Sequence, residues 1–365
     1  MIYLAIIFVI VIFACIVRFD KKNQIRSNKL FIFVAFLLLG LLCVLRSSSV
    51  GRDTSAYLAA YQKTQLVPFS NFDYIYFEKG YVLLMKICCA LKMNFQLFLV
   101  VCYLIMLIPI AVFIYKNSNN LLSSVLVFIC YTYFEFYLTG IRQALSISLF
   151  LIGLLFLMRE GKIIFRLFAY YVFLFIAFFF HRSAAICVVV PIFMLFKNTS
   201  RFTIGLTTLT VLFIAFRPFI FPFVKDVFDK GTMDTTSNIY IGMNVIVLTL
   251  IAILLLFYVR KLSSSALCRN ISKNNNFLKY GYFLINIFVF SIAVAVFFGT
   301  DISARAYMYP NIVIVVLLYR PINLFEKRNK DLLMLIIDIC LICYFAYGIF
   351  SSNNFDINPY YFFWE

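Results

Sequence analysis

The sequence predicts an all-α fold: a polytopic integral membrane protein with about twelve transmembrane helices, forming a single transmembrane domain over 1–365. Three observations carry that prediction. Of 365 residues, 64% are hydrophobic and 13% charged, more apolar surface than a water-soluble domain of this length hides, so lipid is the expected solvent. Apolar runs of about 15 to 21 residues recur from end to end, each long enough at helical rise to cross most of a bilayer core. The runs lack the alternation of apolar and polar residues that barrel strands require.

In chain order the spans fall at 2–17, 30–45, 95–115, 121–138, 143–158, 166–180, 184–196, 202–216, 240–259, 280–298, 306–319 and 332–350. The first is followed by Arg18 and a Lys-rich loop with no small-residue cleavage site, which reads as a retained anchor rather than a leader. The stretch 80–91 is short and carries Lys86, with Lys92 just beyond, so it is expected to be re-entrant or interfacial. With the N-terminus outside, most Lys and Arg fall in the inner connections 18–29, 116, 159–166, 197–201, 260–279 and 320–330. Letting 80–91 cross would move most of that charge outside. This topology makes 46–79 the first large extracytoplasmic loop and 217–239 the second.

The net charge of +17 raises nucleic acid as a partner. The basic residues lie in short connections between spans rather than on one soluble face, so no nucleic-acid partner is expected. Most of the ten cysteines sit inside apolar spans and none shows metal-type spacing with histidine. They read as small packing residues, and neither a metal nor a cofactor is expected. Phosphate-binding GxxxxGK[ST], HExxH and GxSxG motifs are absent, leaving ATP-driven transport, zinc proteolysis and serine hydrolase chemistry unsupported.

The unusual residues gather in the outer connections. The first outer loop offers Arg46, Arg52, Asp53, Tyr57, Tyr61 and Glu78, against the plain reading of a solvated loop. In TGIRQALS two spans join with almost no connection, placing Arg142 and Gln143 at the start of a helix near the membrane surface. Guanidinium and helix N-terminus together suit a phosphate or carboxylate; the plainer reading is an arginine snorkelling to headgroups. His181, the only histidine, follows FFF at a span end. It reads either as a hydrogen-bonded interface residue or as a functional one at the depth of Arg142. GTDISARAYMYP brings Asp301, Arg305, Tyr307 and Tyr309 to the outer face, with Arg305 and Tyr309 one helical turn apart. A local Asp301–Arg305 ion pair is the structural alternative. Glu135 and Asp338 fall within spans and need the protein interior or a cation, with Arg142 a candidate partner for Glu135. The C-terminal SSNNFDINPYYFFWE is expected to be an aromatic interfacial anchor.

Taken in order, GRDT-x-x-Y, FEKGY, GIRQALSISLFLIGLLFL, FHRSA, ARAYMYP and NPYYFF resemble the EpsG family of bacterial exopolysaccharide proteins, related in role to Wzy-type polymerases. The resemblance runs from about residue 46 to the end, with GIRQALS and FHRSA its most specific parts. It implies a membrane-embedded glycosyltransferase of the bacterial cytoplasmic membrane. Such an enzyme polymerises polyprenyl-diphosphate-linked oligosaccharide repeat units into O-antigen, capsular or exopolysaccharide at the outer face. The implied partners are that lipid-linked oligosaccharide, the bilayer and a chain-length regulator. Under this reading Arg142 and Arg305, with Arg52 third, meet the charge on the leaving diphosphate. His181, Asp53 and Glu78 are the candidate bases. Gln143, Tyr57, Asp301 and Tyr309 are the candidate substrate-binding residues, the outer tyrosines stacking on sugar faces. A flippase for the same lipid-linked oligosaccharide and a polysaccharide ligase remain as alternatives, although the spans show no internal duplication of the kind transporters carry.

Overall fold

The computed structural model describes all residues except 19–23, 198, 229–237, 265–275, 298–304 and 354. It is 80% helix, and among the described residues there is no strand, only an isolated bridge between Arg46 and Phe362. In chain order the helices are α1 Ile2–Arg18, α2 Gln24–Val44, α3 Thr54–Gln65, α4 Lys79–Ala90, α5 Phe95–Asn117, α6 Leu121–Cys130, α7 Tyr133–Thr139, α8 Ile141–Leu157 and α9 Ile163–Phe180. There follow α10 Ser200–Phe228, α11 Asn238–Ser264, α12 Asn276–Phe297, α13 Met308–Asn311, α14 Ile314–Leu317 and α15 Lys327–Tyr347. Two 3₁₀ segments, Arg182–Phe196 and Pro321–Leu324, complete the set with a π-turn at Gly348–Ser352.

Five helices among the described residues are long and apolar enough to cross a membrane, or six if the bent pair α6 and α7 counts as one span. Several shorter apolar helices lie among the remaining expected spans. Length and composition therefore establish a multi-pass helical protein, but not the expected count of twelve.

Three expected spans have a different form. The segment 121–138 is broken at Tyr131 and Thr132, where Thr132 takes a left-handed φ of 62° and the chain bends by 51°. A hydropathy average is blind to such a break, because both halves stay apolar. The segment 184–196 lies within the 3₁₀ helix Arg182–Phe196; at a rise of about 2.0 Å per residue, the 15 residues of that helix reach roughly 30 Å, where an α-helix of the same length would fall short of the bilayer core. The segment 306–319 is interrupted: Tyr307 leaves the helix, and α13 and α14 have four residues each. Arg305 and Tyr309 therefore do not share one continuous helical turn. By contrast, α4 is a 12-residue helix, about 18 Å long and too short to cross. The expected outer loop 217–239 is helical as far as Phe228, and 229–237 lie outside the described residues.

The described chain groups into two compact units. One comprises Met1–Phe156, Phe168–Arg182 and Leu332–Glu365; the other comprises Leu157–Leu167 and Ser183–Asp331. In the second, α12 packs on α10 and α11, and the buried Val313, Ile314 and Val315 form part of its core.

In the first unit, α2 packs on α5 and α1. Antiparallel pairing of α2 and α5 follows from Gln96, near the start of α5, donating to the carbonyls of Val44, the last residue of α2, and Arg46 just beyond it, at 2.9 and 3.1 Å. Asn94 caps α5 and Asn120 caps α6, each side-chain oxygen accepting from a backbone N–H of the first turn. The C-terminal segment is more than an interfacial anchor, because it straps this unit. Ser47 donates to Tyr361 O, Phe363 to Leu45 O, Gly51 to Asp356 O and Arg52 to Phe355 O, all at 2.7–3.0 Å. Tyr3 and Tyr360 donate to the carbonyls of Ile357 and Leu42. One end of the unit thus gathers the start of α1, the end of α2 and the tail.

Candidate functional site

At that same end, α3 and α4 lie side by side and parallel, Tyr57 against Tyr81 and Thr64 against Met85, and the pair packs over the turn between α7 and α8, where two glycines allow the approach. Gly51 adopts φ +94°, and a Cβ there would stand 3.2 Å from the Leu138 carbonyl oxygen. Any other residue would be strained in conformation and crowded by backbone. Gly80, after the N-terminus of α4, lies against the C-terminal end of α9, where a Cβ would come within 2.7 Å of the Phe179 carbonyl. The glycines of the GRDT and EKGY motifs are thus contact points that fix the helix pair. Gly80 also places Glu78 close to the chain that continues into His181.

Arg142 is the centre of the cluster. It occupies the first turn of α8 and forms an ion pair with Glu78. Its guanidinium stands 4.3 Å from the Phe77 ring centroid, and its charge acts on the neighbouring Tyr57 phenol. Tyr57, Phe77 and Tyr81 surround it as three mutually tilted rings with centroids 5.6–5.8 Å apart. The arginine side chain keeps 26% of its surface exposed and Glu78 16%, so the charged pair is open to an outside ligand. Arg142 Nε is buried without an acceptor. A planar fork with one N–H unused, at the start of a helix, is a set of donors suited to phosphate oxygens.

Asp53 occupies the exposed N-cap position of α3 and acts electrostatically on Tyr57, as Arg142 does. Burial pushes the Tyr57 phenol above its usual value, with Arg142 pulling it down and Asp53 pushing it up. The phenol therefore remains protonated at neutral pH. Tyr57 is only 2% exposed and offers no free ring face to a sugar; its contacts position the arginine. Gln143 is also buried, at 5% exposure.

Arg52 is exposed and pairs with Asp356 of the tail at 3.4 Å, an arrangement that contributes little to stability. His181 is half-buried, its backbone N–H closing the last turn of α9 on Ala177 O at 2.9 Å. Six candidates, Arg52, Asp53, Tyr57, Glu78, Arg142 and Gln143, thus gather in the first unit around the α3–α4 pair and the α7–α8 turn, and His181 continues a helix that touches Gly80. Arg305 and Tyr309 belong to the second unit, where Arg305 is exposed and Tyr309 fully buried. The burial leaves Tyr309 no face for sugar stacking. Asp301 lies outside the described residues.

Two cations drew less notice from sequence than their surroundings warrant. Arg46 is 1% exposed and donates to the Tyr103 hydroxyl and to Thr54 Oγ1, the latter at 3.3 Å. Among the described residues no carboxylate pairs with it, and its Nε has no acceptor. Thr54 and Tyr57 are three apart on α3, neighbours on one face, so a single helix turn carries the contacts of both Arg46 and Arg142. Lys86 of α4, 2% exposed, donates to Pro68 O at 2.7 Å beneath the rings of Phe69, Phe72 and Tyr74.

Among the described residues no group of three His, Cys, Asp or Glu side chains is placed to hold a metal ion. Compared with known proteins, residues 29–362 match the sequence model of the EpsG family. No curated protein and no solved structure matches the chain.

Proposed function

The chain belongs to the EpsG family, a Wzy-type polymerase-like family, and from that premise we propose that it polymerises polyprenyl-diphosphate-linked oligosaccharide repeat units by glycosyl transfer. Membership together with the apolar helices points to a multi-pass membrane protein of polysaccharide biosynthesis. The observation that carries the finer reading is the partly exposed Arg142–Glu78 pair, held by Tyr57 and Phe77 at a helix start.

In the proposed reaction a hydroxyl oxygen at the non-reducing end of an incoming lipid-linked unit attacks the anomeric carbon of the growing chain. The bond from that carbon to the carrier's diphosphate breaks, and its electron pair leaves with the polyprenyl diphosphate. Arg142 neutralises the charge that develops there, using donors that are fixed before the reaction begins. The acceptor's proton passes to a base: Asp53, exposed at the mouth of the cluster, Glu78 on release from Arg142, or His181. Tyr57 acts as a positioning residue for Arg142. The reaction is assigned to the outer face of the cytoplasmic membrane from the distribution of Lys and Arg, and a chain-length regulator is the proposed protein partner.

The glycan ladder of a deletion strain tests this reading. Loss of a polymerase leaves single repeat units on the final acceptor. Long chains stranded on the lipid carrier would instead identify a ligase, and repeat units trapped inside the cell a flippase.

A further inference from the structure

α2 and α5 do not close on one another along their whole length. Between them runs an apolar groove of about 550 Å³. It is lined from Lys29 through Gly40 to Val44 on α2, and from Val100 and Tyr103 to Tyr115 on α5. Because the helices are antiparallel, Val44, Val100 and Tyr103 form one end, and Lys29 and Tyr115 the other. Gly40 keeps the floor low: a Cβ there would meet only Leu107, at 3.6 Å. Phe33 and Leu104 on the rim are 64% and 54% exposed, so the groove opens sideways to the surrounding lipid.

Two features identify an occupant. From Lys29 to Val44 the groove extends about 22 Å along the helix axis, longer than the ~15 Å of hydrocarbon in one leaflet. An ordinary acyl chain anchored at either surface would leave part of it empty, whereas a long isoprenoid would fill it. The second is charge. The Tyr103 end is capped by Arg46, whose guanidinium stands 5.3 Å from the Tyr103 ring centroid without a carboxylate partner and with Nε unsatisfied. Arginine does not shed its proton, and burying a cation without a counter-ion is unfavourable. That charge favours an anion at this end of the groove. One helix turn along α3, Tyr57 holds Arg142.

We propose that the α2–α5 groove is the binding site for the isoprenoid chain of the lipid carrier, with the carrier's diphosphate at the Tyr103 end between the Arg46 and Arg142 guanidiniums; this rests on the reading of the substrate as polyprenyl-linked. The groove then selects a carrier by length, and Arg46 joins Arg142 as an anion-binding residue. The exposed Arg52 and the distant Lys29 stay outside that role.

The test uses the full chain reconstituted in vesicles of phosphatidylglycerol and phosphatidylethanolamine, with a polyprenyl diphosphate carrying a diazirine along its chain. Irradiation should label peptides from α2 and α5. Gly40→Phe should reduce that labelling about tenfold, equivalent to ~1.4 kcal/mol of binding, while Phe175→Trp on the exposed face of α9 leaves it unchanged. Leu104→Trp, which narrows the groove from its lipid side, should act in the same direction and covers misfolding of the glycine variant. Labelling of α2 and α5 supports the groove whether or not the vesicles extend glycan, so failure of the polymerase reading would be seen separately in the extension assay. Labels confined to other helices, or labelling that excess phosphatidylglycerol abolishes, would overturn it.

Discussion

Both ends of the parallel α3–α4 pair hold a cation among aromatic rings, but the two sites are built for different tasks. Lys86 is sealed, 2% exposed, with three rings around it and the Pro68 carbonyl as its acceptor. It ties the loop between the helices to α4 and leaves no room for a ligand. Arg142 has rings and a carboxylate too, but a quarter of its side chain reaches outward and one N–H is unused. Aromatic residues around a cation therefore do not mark a site by themselves. An open face and unsatisfied donors separate a binding arginine from a structural lysine.

Substitutions can break or sharpen this contrast. The largest expected effect is on Arg142→Ala, which should lower chain extension by about 10²–10³, the scale of removing one preorganised electrostatic donor, with normal amounts of protein in the membrane. Arg142→Lys should recover only part of the activity, since an ammonium cannot reproduce the fork. Tyr57→Phe keeps the ring and removes the phenol oxygen that interacts electrostatically with Arg142. It should cost about tenfold in activity, on the scale of one polar interaction with a charged group. Because burial already holds the Tyr57 phenol protonated, the pH profile of the remaining activity should not move.

Lys86→Ala should do the opposite: activity per folded molecule stays at the wild-type level, while stability falls by roughly 1–3 kcal/mol as the Pro68 carbonyl loses its donor and the three rings lose their centre. Thermal unfolding in detergent would read the stability and the extension assay the activity. Loss of activity without loss of stability would erase the distinction between the two sites.

The smallest effect belongs to the exposed pair Lys279–Glu160 in the second unit, at 2.8 Å. The hydrogen bond from Lys279 draws the Glu160 carboxyl below its usual value. Its contribution is therefore present above the ordinary carboxylate range and fades as pH falls through the lowered value. Lys279→Ala should leave activity unchanged and barely move the midpoint of thermal unfolding.

Much of the helical order was legible because long apolar runs are local signals. The convergence of Arg142 with Glu78 and Tyr57 was only partly legible. Their motifs pointed to one face, but the pairing depends on Gly51 and Gly80, whose close approaches lie between segments distant in sequence. The break at Thr132 was hidden because a single left-handed residue leaves hydropathy unchanged. The tail's pairing with 45–52 joins residues some 300 positions apart, for which no periodicity speaks. Arg46 was visible as a loop arginine near the membrane surface. Its burial without a carboxylate depends on Tyr103 of α5, a residue that reads from sequence only as part of an apolar span.

The most direct measurement is release of polyprenyl diphosphate from lipid-linked repeat units by the purified chain in vesicles, wild type against Arg142→Ala. The account predicts that release and glycan lengthening rise together in the wild type and that both collapse in the variant at equal protein and equal thermal stability. Undiminished release by Arg142→Ala would contradict it.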